Sequence, residues 1–209
     1  ELVATALHRR ILNACDYVPY SLEGTGTSAL SICDVFLTDE EEYVPAFYVS
    51  QHANADERLT DYERYVANCE ELGVTGVKDA LDRMIVCDDI IANYDRHWRN
   101  FGLVRNVNTL TCRPAPIFDS GSSLWCNISL EELQTGEHSF ASAQFHSSPA
   151  KQMLLVEDMD WFDGDKLEGF VDEAIEILSR NDALTARLPY LKEALTWRLE
   201  RMIDIAEWS

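Results

Sequence analysis

Ile90-Ile91-Ala92-Asn93-Tyr94-Asp95-Arg96-His97-Trp98-Arg99-Asn100-Phe101-Gly102 carries an apolar run into a polar loop and out again, and Ile117-Phe118-Asp119-Ser120-Gly121 answers it 19 positions after Asn100. Asp95 and Asn100 stand five apart in the loop, and Asp119 follows a short apolar run of its own. Phosphoryl transfer asks little covalent chemistry of a protein; it asks for an in-line nucleophile and balanced charge on the transferring group. Mg²⁺ prefers hard oxygen ligands and keeps several waters, so one carboxylate and one amide oxygen beside phosphates suffice. Asp119 and Asn100 form such a pair, leaving Asp95 to accept or orient a substrate hydroxyl. His97 can supply a donor to a phosphate. Singly, Asn93, Asp95 and Asn100 read as turn formers and Asp119-Ser120-Gly121 as a strand-ending turn. Their joint order (helix, loop, strand, turn, strand, loop) points to a site.

Upstream of the loop, Val77, Ala80, Leu81, Met84, Ile85, Ile90 and Ile91 predict a buried helix over about 77–93 that delivers the chain to Asp95. Downstream, Phe101–Asn106 and Thr111–Phe118 alternate as two short strands around the Asn106-Val107-Asn108-Thr109 turn. Antiparallel pairing of these strands brings Asn100 and Asp119 together. Residues 120–148 are rich in Ser, Gly and Asn and long for a connection, hence functional or disordered. Apolar periodicity then predicts helices at about 149–155, 165–180 and 189–207.

Toward the N-terminus, Leu2, Val3, Ala6, Leu7, Ile11 and Leu12 predict a helix over 1–14, with Arg9 and Arg10 near its favourable C-terminal end. Ala29 to Leu37 and Tyr43 to Val49 read as two strands of a hairpin, separated by Thr38-Asp39-Glu40-Glu41-Glu42. Gly24-Thr25-Gly26-Thr27-Ser28-Ala29 superficially matches a phosphate loop, but with a helix before it and a strand after it a mobile turn is the preferred reading. A polar stretch from Gln51 to Asp56 places a hinge around residues 47–56, dividing a small part, 1–50, from a larger helical part, 51–209. A helix from about Asp56 to Leu72 follows, closed by Gly73.

With 209 residues and 46% hydrophobic content, the chain can bury a sizeable core. Its formal net charge of −20 repels nucleic-acid phosphates and anionic membranes, so direct nucleic-acid binding and membrane association are not expected. The six cysteines show no C-x-x-C pair and no His at zinc-finger spacing, which argues against a zinc site and a redox dithiol; their even number would allow three disulfides, but a domain of this size buries a core without such staples, so reduced, mostly buried thiols in a cytosolic protein are the expectation. There is no signal peptide and no apolar run of membrane-spanning length, and the opening Glu1 suggests a processed, truncated or renumbered chain.

Other residues invite weaker readings. His8 and His52 have no partner at ligand spacing, and His138 and His146 flank Phe140 and Phe145. Ser147-Ser148-Pro149 reads as an N-terminal cap with Pro at the first helical position. The acidic cluster Asp158 to Asp165 lacks the pattern of an EF-hand and reads as a solvated helix entry. Trp161, Trp197 and Trp208 read as packing residues.

Asn93-Tyr94-Asp95-Arg96-His97-Trp98-Arg99-Asn100-Phe101-Gly102, followed by Pro114-Ala115-Pro116-Ile117-Phe118-Asp119-Ser120-Gly121-Ser122-Ser123-Leu124, resembles the catalytic core of the HipA-like serine/threonine kinases of bacteria. The resemblance extends more weakly over most of the chain. It implies an α+β, protein-kinase-like fold with a predominantly helical C-lobe and an incomplete small N-lobe, a helix plus a β-hairpin. It implies ATP and Mg²⁺ as cofactors and phosphoryl transfer to a protein hydroxyl. Residue by residue it implies Asp95 as catalytic acceptor, His97 as active-site donor, and Asn100 and Asp119 as metal ligands. Phe47, Tyr48 and Val49 resemble the strand leading to the interlobe hinge, whose backbone would meet adenine. Family members often act as toxins beside a DNA-binding antitoxin, so an antitoxin-like partner is an expectation.

The family also has a glycine-rich segment and a nucleotide-binding Lys before the helix that matches residues 1–14. This chain opens at that helix; Glu1 falls near the place of the Glu that pairs with that Lys, and the nearest later lysine is Lys78. Loss of such a donor costs on the order of 10²-fold in rate. A truncated form with weak nucleotide binding and slow turnover is therefore expected. The rival readings are a degenerate, partner-binding relative and a lipid or small-molecule kinase.

Overall fold

In chain order the elements are α1 (Leu2–Ile11), β1 (Tyr20–Glu23), β2 (Leu30–Cys33), β3 (Glu41–Pro45), α2 (Ala46–Val49), α3 (Asp61–Glu71), α4 (Val77–Ile90), β4 (Gly102–Asn106), β5 (Cys112–Pro114), α5 (Leu130–Gln134), α6 (Pro149–Met153), α7 (Phe170–Ser179) and α8 (Leu188–Trp208). Short 3-10 turns occupy Gly164–Leu167 and Asp182–Leu184. This computed structural model describes residues 1–24, 29–51, 58–136 and 139–208.

The apolar pattern that predicts a buried helix over 77–93 becomes α4, the element on which two cores meet. Val86, Cys87 and Ile90 join Ala4 and Leu7 of α1, Phe170 and Ala174 of α7 and Leu195 and Met202 of α8. Leu81 and Met84 join Tyr65 and Cys69 of α3, Phe101 and Leu103. Full burial of each such side chain is worth roughly 1.5–3 kcal/mol, so α4 is anchored from both sides and its C-terminal end is a rigid platform. A third cluster, Ala92, Trp125, Leu133, Leu191 and Ala194, lies directly beyond that end.

The neighbouring helices stop where their local chemistry dictates. Thr60 and Glu63 form a reciprocal capping box at the start of α3. At its end Gly73 takes a left-handed φ of 75°, Gly73 N–H donates to the Glu70 carbonyl and Val74 N–H to the Cys69 carbonyl, a Schellman closure. Arg9 and Arg10, in the last turn of α1, both pair with Glu173 of α7, which fastens α1 to the helical body.

The sheets differ from the expected hairpin. β1 pairs with β2, Tyr20 opposite Cys33, so a strand precedes the Gly24–Ala29 segment as well as following it. Residues 25–28 of that segment lie outside the described residues. β3 pairs instead with β4, Tyr43 opposite Val104, in an antiparallel sheet ordered β3-β4-β5. The acidic run is more than a turn: Glu42 pairs with its cross-strand partner Arg105, and Glu41 with Arg113. Residues 46–49 form α2, not the continuation of a strand, because the N–H groups of Ala46 and Phe47 are taken by the carbonyls of Phe101 and Trp98. The expected hinge at 47–56 thus falls partly on a helix and partly, at 52–56, outside the described residues, as does the expected start of α3.

Elsewhere, Pro149 opens α6 as expected, and Ser148 stands at the cap position without a side-chain cap bond. The 120–148 stretch contains α5, capped by a Ser129–Glu132 box. All six cysteines are free, yet only Cys69 and Cys87 are buried. Trp197 and Trp208 are 47% and 89% exposed, which corrects their reading as packing residues: α8 turns Leu191, Leu195 and Leu199 inward instead. Among the described residues no helix is long and apolar enough to cross a membrane.

Candidate active site

Two adjacent acids, Asp88 and Asp89, interrupt the apolar pattern of α4 near its end, and both are buried. Burial of a carboxylate demands partners. Asp89 receives Arg198 at 2.7 Å and Arg201 at 2.8 Å from α8. Asp88 accepts from Asn93 Nδ2 at 2.9 Å, Gln144 Nε2 at 2.6 Å, and both Nε and Nη2 of Arg96, at 2.9 and 3.0 Å.

Arg96 is the tie that builds the site. Its Nη1 donates to the carbonyl of Asn100 at 3.1 Å and to the carbonyl of Phe118, and its Nη2 also donates to Ser120 Oγ at 2.7 Å. All five guanidinium N–H groups are thereby used. One planar cation holds the loop at Asn100 and the segments on either side of Asp119. Antiparallel β4–β5 pairing, carried on by Ala115 N–H to the Gly102 carbonyl, does the coarse alignment that spacing predicts.

The backbone around these residues is held by hydrogen bonds, while the Asp95 and Asp119 carboxylates take no donor among the described residues. Asn93 Oδ1 accepts from Asp95 N–H at 3.2 Å, and Asn100 Nδ2 donates to the Asp95 carbonyl at 3.3 Å. That bond fixes the Asn100 amide and leaves Oδ1 as its acceptor end. Arg99 N–H donates to His97 Nδ1 at 3.2 Å, so a neutral His97 carries its proton on Nε2, toward solvent. Tyr94 N–H bonds the Ser122 carbonyl, and Leu124 N–H the Ile91 carbonyl, which zips the two loops together. Ala92, Asp119, Leu124 and Trp125 all have left-handed φ between 52° and 56°. Each costs a non-glycine residue roughly 1–2 kcal/mol and is held by these bonds.

Two residues reach Asp119-Ser120-Gly121 from the N-terminal elements. Tyr20 Oη accepts from Asp119 N–H at 3.2 Å, and Glu1 Oε2 accepts from Ser120 N–H at 3.3 Å. A Cβ on Gly121 would come within 2.9 Å of Glu1 Oε1, the mobile end of a side chain that can turn aside, so the close approach marks the nearness of Glu1 to this turn and is no strict demand for glycine. The tyrosine arrives because residues 16–18 run parallel to the Asp119 approach: Ile117 N–H donates to the Asp16 carbonyl and Val18 N–H to the Ile117 carbonyl. His8, one face of α1 further along, is buried and neutral; desolvation pushes its imidazole down to about 3, with Arg96 adding to the effect.

Asp95, His97, Asn100 and Asp119 are thus gathered on two loops that share Arg96. Phe47, Tyr48 and Val49 belong to a helix and not to a strand leading to a hinge. They lie in α2 against the other flank of the loop, where the Arg99 guanidinium sits 4.9 Å over the Phe47 ring, Val49 is buried and Tyr48 is 57% exposed. The chain instead passes between the two sheets at residues 34–40, where Phe36 packs on Phe118 with ring centroids 5.4 Å apart. Lys78 is at the far end of α4 from the loop, bound to Glu157 at 2.8 Å. His52 and His138 lie outside the described residues.

Sequence reasoning missed Arg96, Asp88, Gln144 and Tyr20. Asp88-Asp89 inside an apolar helix pattern was an available signal that buried cations must follow. Among the described residues no three His, Cys, Asp or Glu side chains converge as a metal cage. The Asn100 amide and the Asp119 carboxylate are hard oxygen donors, the kind that Mg²⁺ takes alongside water and phosphate.

No sequence-family signature and no curated protein matches this chain. Among solved structures, a Helicobacter pylori proinflammatory kinase, CtkA, is similar with a TM-score of 0.67 over 99% of this chain and 78% of that one, at 18% identity. The likeness is one of fold, and it makes the mixed α and β architecture described above kinase-like.

Proposed function

We propose that this chain carries the catalytic and metal-binding loops of an ATP- and Mg²⁺-dependent serine/threonine protein kinase of HipA-like type. The observation that carries the reading is the five-bond Arg96 tie, which draws Asn100 and the Asp119 segment onto one guanidinium behind Asp95. The kinase-like fold supports it.

In this reading Asn100 Oδ1 and the Asp119 carboxylate hold the cation, which when bound neutralises charge on the phosphates and orients them. Asp95, whose carboxylate has no protein donor among the described residues, accepts the hydrogen bond of the incoming serine or threonine hydroxyl and aims its oxygen. The His97 Nε2–H is a donor to the transferring group. Catalysis by these residues is positioning plus electrostatics. We assign adenine to the connector at residues 34–40, which joins the β1–β2 sheet to the β3–β4–β5 sheet, rather than to Phe47, Tyr48 and Val49 of α2.

Calorimetry with ATP and Mg²⁺ tests the site. Binding is expected in the wild type, retained in Asp95→Asn and abolished in Asp119→Ala; no binding at millimolar ATP with Mg²⁺ overturns the proposal for this chain. Labelled ATP with protein and lipid acceptors then distinguishes a protein kinase from a lipid kinase.

A further inference from the structure

Asp119 is held through its backbone. The Phe118 carbonyl takes Arg96, Ser120 Oγ takes Arg96, the Ser120 carbonyl takes Ser123 Oγ at 2.7 Å, and the N–H groups of Asp119 and Ser120 go to Tyr20 and Glu1. No described residue donates to the Asp119 carboxylate. A strained left-handed residue, φ 53°, is thus tied through its own N–H and through the polar groups of Phe118 and Ser120 on either side.

The Tyr20 bond differs from the Arg96 bonds in where it comes from. Arg96 and Ser123 belong to the same two loops as Asp119. Tyr20 is the first residue of β1, 99 positions away in sequence, and stands opposite Cys33, the last residue of β2. It is itself secured: its N–H donates to Thr5 Oγ1 of α1 at 2.9 Å, and residues 16–18 are stitched beside Ile117. A register set by α1 and the parallel bridge therefore delivers the phenol to the Asp119 N–H.

Resting on the reading of Asp119 as a metal ligand, we propose that Tyr20 is a positioning residue: its Oη holds the Asp119 backbone in the conformation that presents the carboxylate to the nucleotide-bound cation. The β1–β2 hairpin and the metal ligand then move as one unit. A shift of the hairpin breaks the Tyr20 bond and costs metal affinity; metal bound at Asp119 in turn favours one hairpin position, by linkage.

The test separates metal-dependent from metal-independent binding. Mn²⁺ is titrated by electron paramagnetic resonance at saturating ATP, and ATP is titrated by calorimetry in EDTA, on the full chain. Tyr20→Phe keeps the ring and removes the acceptor. A net hydrogen bond predicts Mn²⁺ affinity lowered roughly 3- to 10-fold, with ATP affinity in EDTA unchanged. Thr5→Val, which loosens the Tyr20 backbone without touching Asp119, is expected to weaken Mn²⁺ in the same direction by less, and it carries the test should Tyr20→Phe not fold. Equal losses with and without metal, or no loss in either variant, overturn the role of Tyr20. If Asp119→Ala abolishes Mn²⁺ binding while Tyr20→Phe leaves it intact, only the positioning role fails. If Asp119→Ala has no effect, or the wild type binds no nucleotide, the site reading fails and this proposal with it.

Discussion

Asp88 and Arg96 form a two-pronged ion pair almost wholly removed from solvent, with Nε to Oδ2 at 2.9 Å, Nη2 to Oδ1 at 3.0 Å, and side-chain exposures of 4% and 0%. Neither partner has any charge to spare for the surface. A buried pair of this kind is no guarantee of net stability, because desolvation offsets the attraction. What it achieves is geometry: α4 fixes Asp88, Asp88 fixes the plane of Arg96, and that plane fixes Asn100 relative to Asp119.

Removing one partner should therefore be far worse than removing both. Arg96→Ala and Asp88→Ala each leave an uncompensated buried charge and are expected to lower unfolding free energy by roughly 3–5 kcal/mol. Arg96→Lys should recover little, since an ammonium cannot serve all five acceptors of a planar fork. The double replacement Asp88→Leu with Arg96→Met should recover much of the stability in urea unfolding while ATP·Mg²⁺ binding stays lost. Recovery of both would show that the pair is structural only.

Gly102 is where β3 presses closest to the strand that starts just after Asn100. A Cβ there would lie 2.8 Å from the Ala46 nitrogen and collide with the Val44 carbonyl, both backbone atoms that cannot yield cheaply. Gly102→Ala should cost roughly 1–3 kcal/mol by overpacking and should weaken ATP·Mg²⁺ binding by displacing Asn100. Gly73→Ala meets open space and pays only for its left-handed φ, so a loss of about 1 kcal/mol with unchanged binding is expected. Thermal melts and calorimetry on the two variants check the contrast.

Asp82 predicts a pH dependence. Burial pushes its carboxyl from 3.8 up to about 6, against the pull of the Asp158 and Glu157 N–H groups that it caps. A folded-state value above the unfolded one means that the native state binds the proton more tightly. The contribution is fully present below about pH 3.8 and is lost as pH rises through about 6. Urea unfolding of wild type relative to Asp82→Asn should show the difference falling by about 2–3 kcal/mol between pH 4 and pH 7. A flat difference across that range would contradict the assignment.

The site was legible in sequence to the extent that it is local. Asp95, His97, Asn100 and Asp119 stand at short intervals in loops whose flanks announce themselves by apolar periodicity, and β4 and β5 are neighbours joined by a turn whose Asn106 Oδ1 accepts from two following N–H groups. Arg96 was not legible as a hub, because an arginine in a polar loop reads as solvated until something buried claims it. Phe47, Tyr48 and Val49 read as strand because Tyr43 to Val49 is rich in β-branched and aromatic residues; the hydrogen bonds from Ala46 and Phe47 to Phe101 and Trp98 are tertiary and turn the chain into α2.

By itself, then, the sequence determined the long helices, the β4–turn–β5 succession, the burial of α4 and the composition of the two loops, since these follow from side-chain chemistry repeated at the period of a helix or strand and from local turn residues. Only the tertiary structure decided that β3 joins β4 and not β2, that Arg96 closes five bonds around Asp88, Asn100, Phe118 and Ser120, and that Tyr20 meets Asp119 across 99 residues. Periodicity reports which side of an element is apolar. It carries no record of which distant backbone will supply the missing hydrogen-bond partner, and burial of α4 is what forces those partners to be found.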